Sequence, residues 1–406
     1  MLRLDDRRLI GALDELAAIG AIEGGGCARL ALTDEDRAGR DLVVSWMKAL
    51  GLAVTVDAIG NVVGVRAGTE DLAPVMTGSH IDTVRTGGRY DGNYGVLAGL
   101  EVVRALNEAG VTTRRPVAVA FFTNEEGARF QPDMMGSLVY VGGLSLNEAY
   151  AASDKDGASV GDELRRIGYL GPAKPGVVRP HAFVELHIEQ GPILDEEKVQ
   201  IGVVESVQGI SWTEYTVTGV SNHAGTTPMR LRRDAGYLAA SVNLFARKLA
   251  WEMGGNQVAT VGSLVLRPNL INVVPNRAIF SVDLRNTDEA KLAEAEARVA
   301  DHIAEVAKAE RVEVEAKVLA RFEPVIFDAG LVDRVEHHAR ALSLSTRRMP
   351  SGAGHDAQMM QRLCPTAMIF VPSMAGLSHN VKEHTEAADL AAGAQVLLNV
   401  MLELAG

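Results

Sequence analysis

The sequence has few cysteines and a deficit of basic residues. Its 406 residues include 2 cysteines, Cys27 and Cys364, too few for a disulfide framework or a cysteine-rich zinc site. With 40 Lys and Arg against 52 Asp and Glu, the formal net charge is −12, which lacks the basic field of a nucleic-acid binder. Any bound metal must therefore take nitrogen and oxygen ligands, and the positions of the 10 histidines become the main question.

Membrane and targeting segments are also missing from the pattern. No window approaches the roughly 18 uncharged apolar residues that a membrane span requires. Residues 1–22 carry Asp5 and Asp6 where a signal peptide needs a basic start, and their apolar positions have the spacing of an amphipathic helix. We therefore expect a cytoplasmic protein that has neither a membrane nor a nucleic acid as a partner.

Helix-like and strand-like segments alternate over residues 1–210. Apolar runs typical of buried strands lie at 74–79, 116–123 and 181–188. Strands alternating with helices predict an α/β domain with a mostly parallel sheet. The same pattern returns at 325–406, which contains one more buried-type strand and a closing helix.

Residues 211–324 have a different organisation. Strong helical patterns at 234–253 and 288–310 are set among strand-like segments in the order β-α-β-β-α-β. This order is the ferredoxin-like arrangement, and the segment is long enough for a domain of its own. The sequence thus predicts one α/β domain, 1–210 with 325–406, interrupted by an inserted α+β domain, 211–324.

Polar residues able to bind metal follow four of the predicted strands. Chemistry in open α/β sheets gathers at the carboxyl ends of strands, so these residues are expected to meet at one edge. A further carboxylate, Asp91, lies in the glycine-rich loop 87–95. The residues after the four strands are His80 and Asp82, Glu125 and Glu126, His187 with Gln190, and His379.

Imidazole nitrogen and carboxylate oxygen suit Zn²⁺, and also Mn²⁺, Co²⁺ or Ni²⁺. A pair of metals about 3.5–4 Å apart needs a bridging carboxylate, and Asp91 is the natural candidate. Asp82 could hold the second ring nitrogen of His80. Glu125 and Glu126 are adjacent, so one is expected to bind metal while the other takes a proton from the attacking water.

Several segments together resemble the M20 metallopeptidase-like hydrolases. They are GSHIDTVRTGGRYDGNYG, FTNEEGARF, HIEQGP, VTGVSNHAGTTPM, SGAGHDA and SHNVKEHT. The resemblance covers nearly the whole chain in order, and HIEQGP is specific to the amidase/hydantoinase-carbamoylase branch. That branch includes N-carbamoyl-L-amino-acid hydrolases, allantoate amidohydrolases and β-ureidopropionases.

The resemblance implies a dinuclear metal centre and a dimer. Two divalent ions, preferably Zn²⁺, would be held by the ligand set of the family, and Glu125 would be the general base. The inserted domain would act as a lid and dimerisation domain of a homodimer. By this resemblance the ligands are His80, Asp91 as the bridge, Glu126, His187 and His379.

The same resemblance implies a set of substrate contacts. These are Gln190, His223, Asn272, Arg285 and Gly354, with His223 reaching the active site of the partner subunit. The residue types suit these roles, because a guanidinium binds a substrate carboxylate in two hydrogen bonds and an imidazole can stabilise an oxyanion. One departure from the family pattern is the bulky pair Met134 and Met135, which could shape a different side-chain pocket.

The expected activity is metal-dependent hydrolysis of a linear amide, amidine or ureido C–N bond. An N-carbamoyl-L-amino acid would yield the amino acid, CO₂ and ammonia. Sibling substrates remain open, namely allantoate, ureidoglycolate and β-ureidopropionate. A third hypothesis, from another class, is a metal-containing dimer that binds a ligand without turnover.

Overall fold

The computed structural model describes residues 2–406 and divides them into two compact units. The first unit runs to Glu205 and resumes at Phe327, and the second unit is Ser206–Ile326. The second unit is therefore a few residues longer at both ends than the segment 211–324 that the sequence predicts.

The chain from its start to β6 alternates helices and strands. The elements are α1 (Asp6–Ala17), α2 (Asp34–Ala49), β1 (Ala53–Val56), β2 (Val62–Arg66), β3 (Val75–His80), α3 (Asn93–Glu108), β4 (Val117–Phe122), α4 (Met135–Tyr140), α5 (Leu146–Ala151), α6 (Val160–Ile167), β5 (Ala182–Ile188), α7 (Ile193–Glu197) and β6 (Ile201–Val207).

The second unit and the return of the chain follow. The second unit adds β7 (Gly209–Thr218), a 3₁₀ turn (Met229–Leu231), α8 (Ala235–Met253), β8 (Val258–Thr260), β9 (Leu264–Arg267), β10 (Arg277–Asn286), α9 (Glu289–Glu310), β11 (Glu313–Phe322) and β12 (Val325–Ile326). The return adds α10 (Ala329–Ala341), β13 (Thr346–Ser351), α11 (Asp356–Met360), β14 (Thr366–Val371), a 3₁₀ turn (Met374–Gly376) and α12 (Ala387–Ala405).

Capping side chains define where the long helices begin. The Thr33 hydroxyl accepts a hydrogen bond from the Asp36 amide and opens α2. Asp234 and Asp288 cap α8 and α9 in the same way. Each cap satisfies a backbone N–H that has no partner inside the helix, which stabilises the first turn.

The first unit is built on a mixed sheet whose centre is parallel. Its strand order is β1-β2-β4-β3-β5-β14-β6, with β13 beside β6. The central strands β4, β3, β5 and β14 run parallel, and every residue in them is buried. The outer strands β1, β2 and β6 are antiparallel to their neighbours. The α/β class with a parallel central sheet is confirmed, and the carboxyl ends of the four central strands share one edge.

The second unit has an antiparallel sheet covered by two helices. Its order is β11-β7-β10-β8, with β9 also paired to β10. The single strand predicted between α8 and β10 is therefore split into β8 and β9. Leu238 and Val242 of α8, Leu292 of α9 and Phe280 of β10 belong to its hydrophobic core. The elements follow the β-α-β-β-α-β order of a ferredoxin-like arrangement.

The closing helix α12 departs from the expectation that no segment has membrane-spanning character. It is 19 residues long, and an 18-residue window has a mean hydropathy of 1.3, which is sufficient by length and composition. Half of that window is buried, and the helix packs against α3, α10 and the strands β5 and β14. Its hydrophobicity is explained by its place in the core of the first unit.

Candidate metal centre

The shared edge of the four central strands brings the predicted ligands of the first unit together. His80 is the last residue of β3, and His187 lies near the end of β5. Both are 1% exposed, and Asp91, in the loop before α3, is 3% exposed. The side chain of His379, beyond β14, is 51% exposed. The centre therefore has a buried side and a solvent-facing side.

Two groups of possible ligands share the carboxylate of Asp91. In each group the ligand atoms lie within 4.8 Å of one another. Asp91 Oδ1 is 3.6 Å from His80 Nε2 and 3.2 Å from His187 Nε2. Asp91 Oδ2 is 3.3 Å from His379 Nε2, which is itself 3.2 Å from Glu126 Oε2. Each carboxylate oxygen thus faces a different group.

Backbone carbonyls set the tautomers of the two buried histidines. His80 Nδ1 is 2.9 Å from the Asp82 carbonyl oxygen, and His187 Nδ1 is 2.8 Å from the Ile188 carbonyl oxygen. Because a carbonyl only accepts, each Nδ1 must carry the proton, and the neutral ring presents the Nε2 lone pair towards Asp91. The Gly92 amide donates to His187 Nε2 at 3.2 Å, which agrees with this assignment.

The electrostatics of the centre favour positive charge. Burial disfavours a charged imidazole, yet Glu125 and Asp91 outweigh burial and raise the pKa of His80 well above its ordinary value. Hydrogen bonds to Asp91 and Glu126 raise the pKa of His379 to about 10. Glu126 Oε1 is also buried without a partner among the described residues. Divalent cations would satisfy this excess of negative charge and the orphaned oxygen, so the residues fit a metal site.

The loop that carries Asp91 is held by glycine geometry and by Glu383. Gly92 has φ of 65°, and a Cβ there would lie 2.4 Å from the His80 ring. Glu383 accepts hydrogen bonds from the amides of Tyr90 and Asp91 at 3.1 and 3.2 Å. Burial raises the pKa of Glu383 to about 7. The position of the shared carboxylate is therefore fixed through its own backbone.

Asp82 does not have the role expected for its side chain. The Asp82 carboxylate lies 4.0 Å from His80 Nδ1, and the backbone carbonyl takes that nitrogen instead. The carboxylate accepts from the amides of Glu125 and Glu126, both at 3.3 Å. Asp82 therefore supports the turn that presents the two glutamates.

Glu125 is buried beside the first ligand group. Its Oε2 lies 3.4 Å from His80 Nε2, while Glu126 faces His379, so the adjacent glutamates point to different partners. Burial, together with neighbouring carboxylates, raises the pKa of Glu125 well above its ordinary value. A carboxyl group with a raised pKa at a metal centre has the property that a general acid–base residue needs.

Two of the predicted substrate contacts lie in the first unit. Gln190 has φ of 58° and donates from Nε2 to Asp91 Oδ2 at 2.9 Å, so it joins the centre directly. Gly354 lies against Met134, because a Cβ on Gly354 would be 3.0 Å from Met134 Cε. Met134 is also bonded through its amide to the Glu125 carbonyl oxygen at 2.7 Å. Both methionines are buried, which makes Met134 a neighbour of the expected contact surface.

The other three predicted contacts lie in the second unit, at two separate places. His223 pairs with Val273, and the Ala224 amide donates to the Asn272 carbonyl oxygen at 2.9 Å. Arg285 lies near the other end of β10, about 27 Å from its first residue at about 3.4 Å per residue. The structure brings His223 and Asn272 together. Arg285 of the same chain lies apart from both of them.

His223 and Arg285 each have defined local partners. The amides of Gly225 and Thr226 lie 3.1 and 3.3 Å from His223 Nδ1 and donate to it, which leaves the proton on Nε2 of the neutral ring. Arg285 donates to the Asp283 carboxylate at 3.0–3.2 Å and lies 5.7 Å from the Trp212 ring. A substrate carboxylate at Arg285 would have to share the guanidinium with Asp283.

Two further buried groups were missed by the sequence analysis. The His355 ring lies 4.6 Å from the His187 ring, with Nε2 held 2.9 Å from the Ser351 hydroxyl. Glu185 accepts from the Ser79 hydroxyl at 2.6 Å and from the Ala357 amide at 2.7 Å. The spacing of Glu185 and His187 on one strand was an available signal, since alternate residues share a face.

The parallel sheet and the two ligand groups at its edge define an α/β protein with a candidate metal centre. The chain belongs to the peptidase family M20/M25/M40, whose family model matches residues 76–403.

Several hydrolases of named activity are similar to this chain over almost its whole length. The chain is 44% identical over 404 residues to an N-carbamoyl-L-amino-acid amidohydrolase of Rhizobium meliloti, covering 99% of this chain and 97% of that protein. A Geobacillus stearothermophilus protein of the same name is 39% identical over 410 residues, covering 99% of both chains. Ureidoglycolate hydrolase of Arabidopsis thaliana is 34% identical, covering 99% of this chain and 87% of that protein.

A solved structure shows the same fold over the whole chain. An amidase of the hydantoinase/carbamoylase family from Burkholderia multivorans is 46% identical, with a TM-score of 0.96. The match covers 100% of this chain and 98% of that one. The branch of the family that the sequence motifs indicated is therefore also the branch of the similar proteins.

Proposed function

We propose that the protein is a metal-dependent amidohydrolase that converts an N-carbamoyl-L-amino acid to the amino acid, CO₂ and ammonia. The observation that carries the proposal is the pair of ligand groups sharing Asp91, with the buried carboxyl group of Glu125 beside them. The similarity to N-carbamoyl-L-amino-acid amidohydrolases supplies the substrate class. Two divalent ions per subunit are part of the proposal, with Zn²⁺ preferred and Mn²⁺, Co²⁺ or Ni²⁺ as alternatives.

The roles of the residues follow from their chemistry. The ions would be held by the two groups at Asp91, and when bound they supply Lewis-acid polarisation and a lowered pKa of water. Glu125 takes a proton from the attacking water and delivers it to the leaving nitrogen. His223 presents Nε2–H, a donor suited to the developing oxyanion. Arg285 binds the substrate carboxylate, and Gln190, Asn272 and Gly354 complete the contacts.

The hydrolysis of a related ureido substrate is the second candidate. Its support is the similarity to ureidoglycolate hydrolase of Arabidopsis thaliana. Allantoate and β-ureidopropionate also carry carboxylate and ureido groups, so they belong to the same candidate class. A non-catalytic metal-binding dimer is disfavoured because such a protein has no use for a buried Glu125 beside the ligands.

A panel of substrates tests the activity. We expect ammonia release from N-carbamoyl-L-amino acids after loading with Zn²⁺, Mn²⁺, Co²⁺ or Ni²⁺ in turn. The panel includes N-carbamoyl-L-methionine, N-carbamoyl-β-alanine, allantoate, ureidoglycolate and an N-acetyl amino acid. Faster turnover of allantoate or ureidoglycolate would transfer the assignment to the second candidate, and no release from any compound with any metal would refute both.

The variant Arg285→Leu tests carboxylate recognition in this panel, and Thr287→Ala is its matched control. The KM of Arg285→Leu for each accepted carboxylate substrate should rise, because a bidentate charged contact is lost. Thr287→Ala, near the same strand end, removes a hydroxyl without removing a charge and should leave KM unchanged.

We also propose that the second unit is the lid and dimerisation domain of a homodimer. Tyr237, Leu244 and Trp251 lie seven residues apart on α8, so their side chains form one stripe along the helix. They are 56%, 74% and 78% exposed, which is unusual for an apolar stripe of a monomer. The separation of His223 from Arg285 within one chain supports the same proposal, since two copies would be needed to combine them.

Charge on this stripe should dissociate the dimer. We expect Leu244→Glu with Trp251→Glu to shift the mass in light scattering from twice 43.2 kDa to 43.2 kDa, because unpaired carboxylates would be buried in the contact. Leu170→Glu, on the first unit at a residue that is 38% exposed, should remain a dimer. A wild-type protein that is monomeric at micromolar concentration would refute the proposal.

A cytoplasmic location completes the proposal. Cys27 and Cys364 are both buried and unpaired, which suits a reducing compartment.

A further inference from the structure

Arg29 is a buried arginine whose guanidinium is held by uncharged groups. Its exposed fraction is 0%, and no carboxylate of residues 2–406 lies within ion-pair distance of it. Its nitrogens donate to the carbonyl oxygens of Ile81 (2.8 Å), Leu16 (2.9 Å) and Ile19 (2.7 Å), and to Asn93 Oδ1 (2.8 Å). A buried cation without a counter-ion is costly, so a specific reason for this arrangement is needed.

Two of these bonds end on the segments that carry metal ligands. Nε donates to the carbonyl of Ile81, the residue directly after His80. Nη2 donates to Asn93, two residues after Asp91 and the first residue of α3. His80 and Asp91 belong to the same ligand group. Because the guanidinium is a rigid planar fork, the two bonds fix the separation between the two segments.

The backbone around Arg29 is fixed as well. Its amide donates to the Thr83 hydroxyl at 2.7 Å, and the Thr83 amide donates to its carbonyl oxygen at 2.9 Å. Helix α2 leaves room for the side chain at Gly39, where a Cβ would lie 2.7 Å from Arg29 Cδ. The guanidinium therefore has little freedom to move away from the ligand segments.

We infer that Arg29 is a positioning residue that sets the spacing of His80 and Asp91 and thereby the metal affinity of their group. The inference rests on the proposed metal function of that group. Arg29 contacts neither metal nor substrate in this assignment, and it acts through Ile81 and Asn93.

The test is a Co²⁺ titration of Arg29→Lys, followed by visible absorption and by competition with a chelator. Lysine keeps the charge and loses the fork, so we expect the affinity to fall by about tenfold and the absorption band to change. Turnover of the loaded variant should fall in kcat with KM unchanged. Arg66→Lys is the matched control, because Arg66 also bonds an asparagine side chain and a carbonyl, at Asn107 and Val111, away from the ligands.

A second variant keeps the test decisive if Arg29→Lys does not fold. Gly39→Ala retains the guanidinium but crowds it, and it should also lower the Co²⁺ affinity and change the absorption band. Wild-type affinity and spectrum in the folded variants, with only a lowered melting temperature, would overturn the positioning role. A wild-type protein that binds no Co²⁺ would instead refute the proposed function.

Discussion

We expect Glu125→Gln to retain its metal and to lose about 10³-fold in kcat, which is the middle of the range for removing a general acid–base residue. The side chain lies beside His80 but outside both ligand groups, so the amide should leave the ligands in place. The measurements are metal content by mass spectrometry and steady-state kinetics on the best substrate of the panel.

The adjoining residue supplies the matched control. Glu126→Gln makes the same chemical change one position later, at a carboxylate that belongs to the group of Asp91 and His379. It should lower the metal content as well as kcat. If Glu125→Gln remained fully active, or if it lost metal while Glu126→Gln kept it, the division of roles between the two glutamates would be reversed or absent.

Asp91→Ala should abolish binding of both ions, because each oxygen of this carboxylate faces a different ligand group. His379→Ala should remove only the ion of the second group, since His379 has no part in the first. Dialysed proteins reloaded with Zn²⁺ would then hold two ions per chain for the wild type, one for His379→Ala and none for Asp91→Ala.

Folding must be separated from ligand loss in this comparison. The far-ultraviolet circular dichroism of Asp91→Ala should match that of the wild type after metal removal. Asp162→Ala, at a carboxylate of α6 whose side chain is 77% exposed, is the control that should keep both ions. Retention of one ion by Asp91→Ala would mean that the two groups are independent.

Much of the fold was predictable because the apolar runs and the helical patterns of the sequence correspond to the strands and helices of the structure. The runs that became β3, β4 and β5 are apolar throughout, as strands buried on both faces must be. The residues following them were placed at one sheet edge by the general rule for parallel strands. The helical patterns predicted at 234–253 and 288–310 begin at Asp234 and Asp288, the residues that cap α8 and α9.

Other parts depend on three-dimensional contacts that have no local signature. Whether His80 Nδ1 meets the carboxylate or the carbonyl of Asp82 depends on the local backbone and the side-chain rotamer, and the spacing in sequence is the same for both. His355 reaches His187 from a distant segment of the chain. The apolar character of α12 reflects its packing against the helices α3 and α10 and the strands β5 and β14. Composition alone cannot distinguish such a buried helix from a membrane span.

The unequal burial of the ligands has a consequence for the exchange of metal with the medium. An ion held by His80 and His187 would be enclosed by side chains that are 1% exposed, whereas one held by His379 would have a ligand that is half exposed to solvent. The two positions would then differ in kinetic lability even where their affinities are similar. Chelators in a purification buffer would empty the outer position first, and whichever divalent ion is abundant at the end would refill it. The metal at the outer position would thus depend on how the protein was purified. The metal at the buried position would be the one incorporated when the protein folded in the cell.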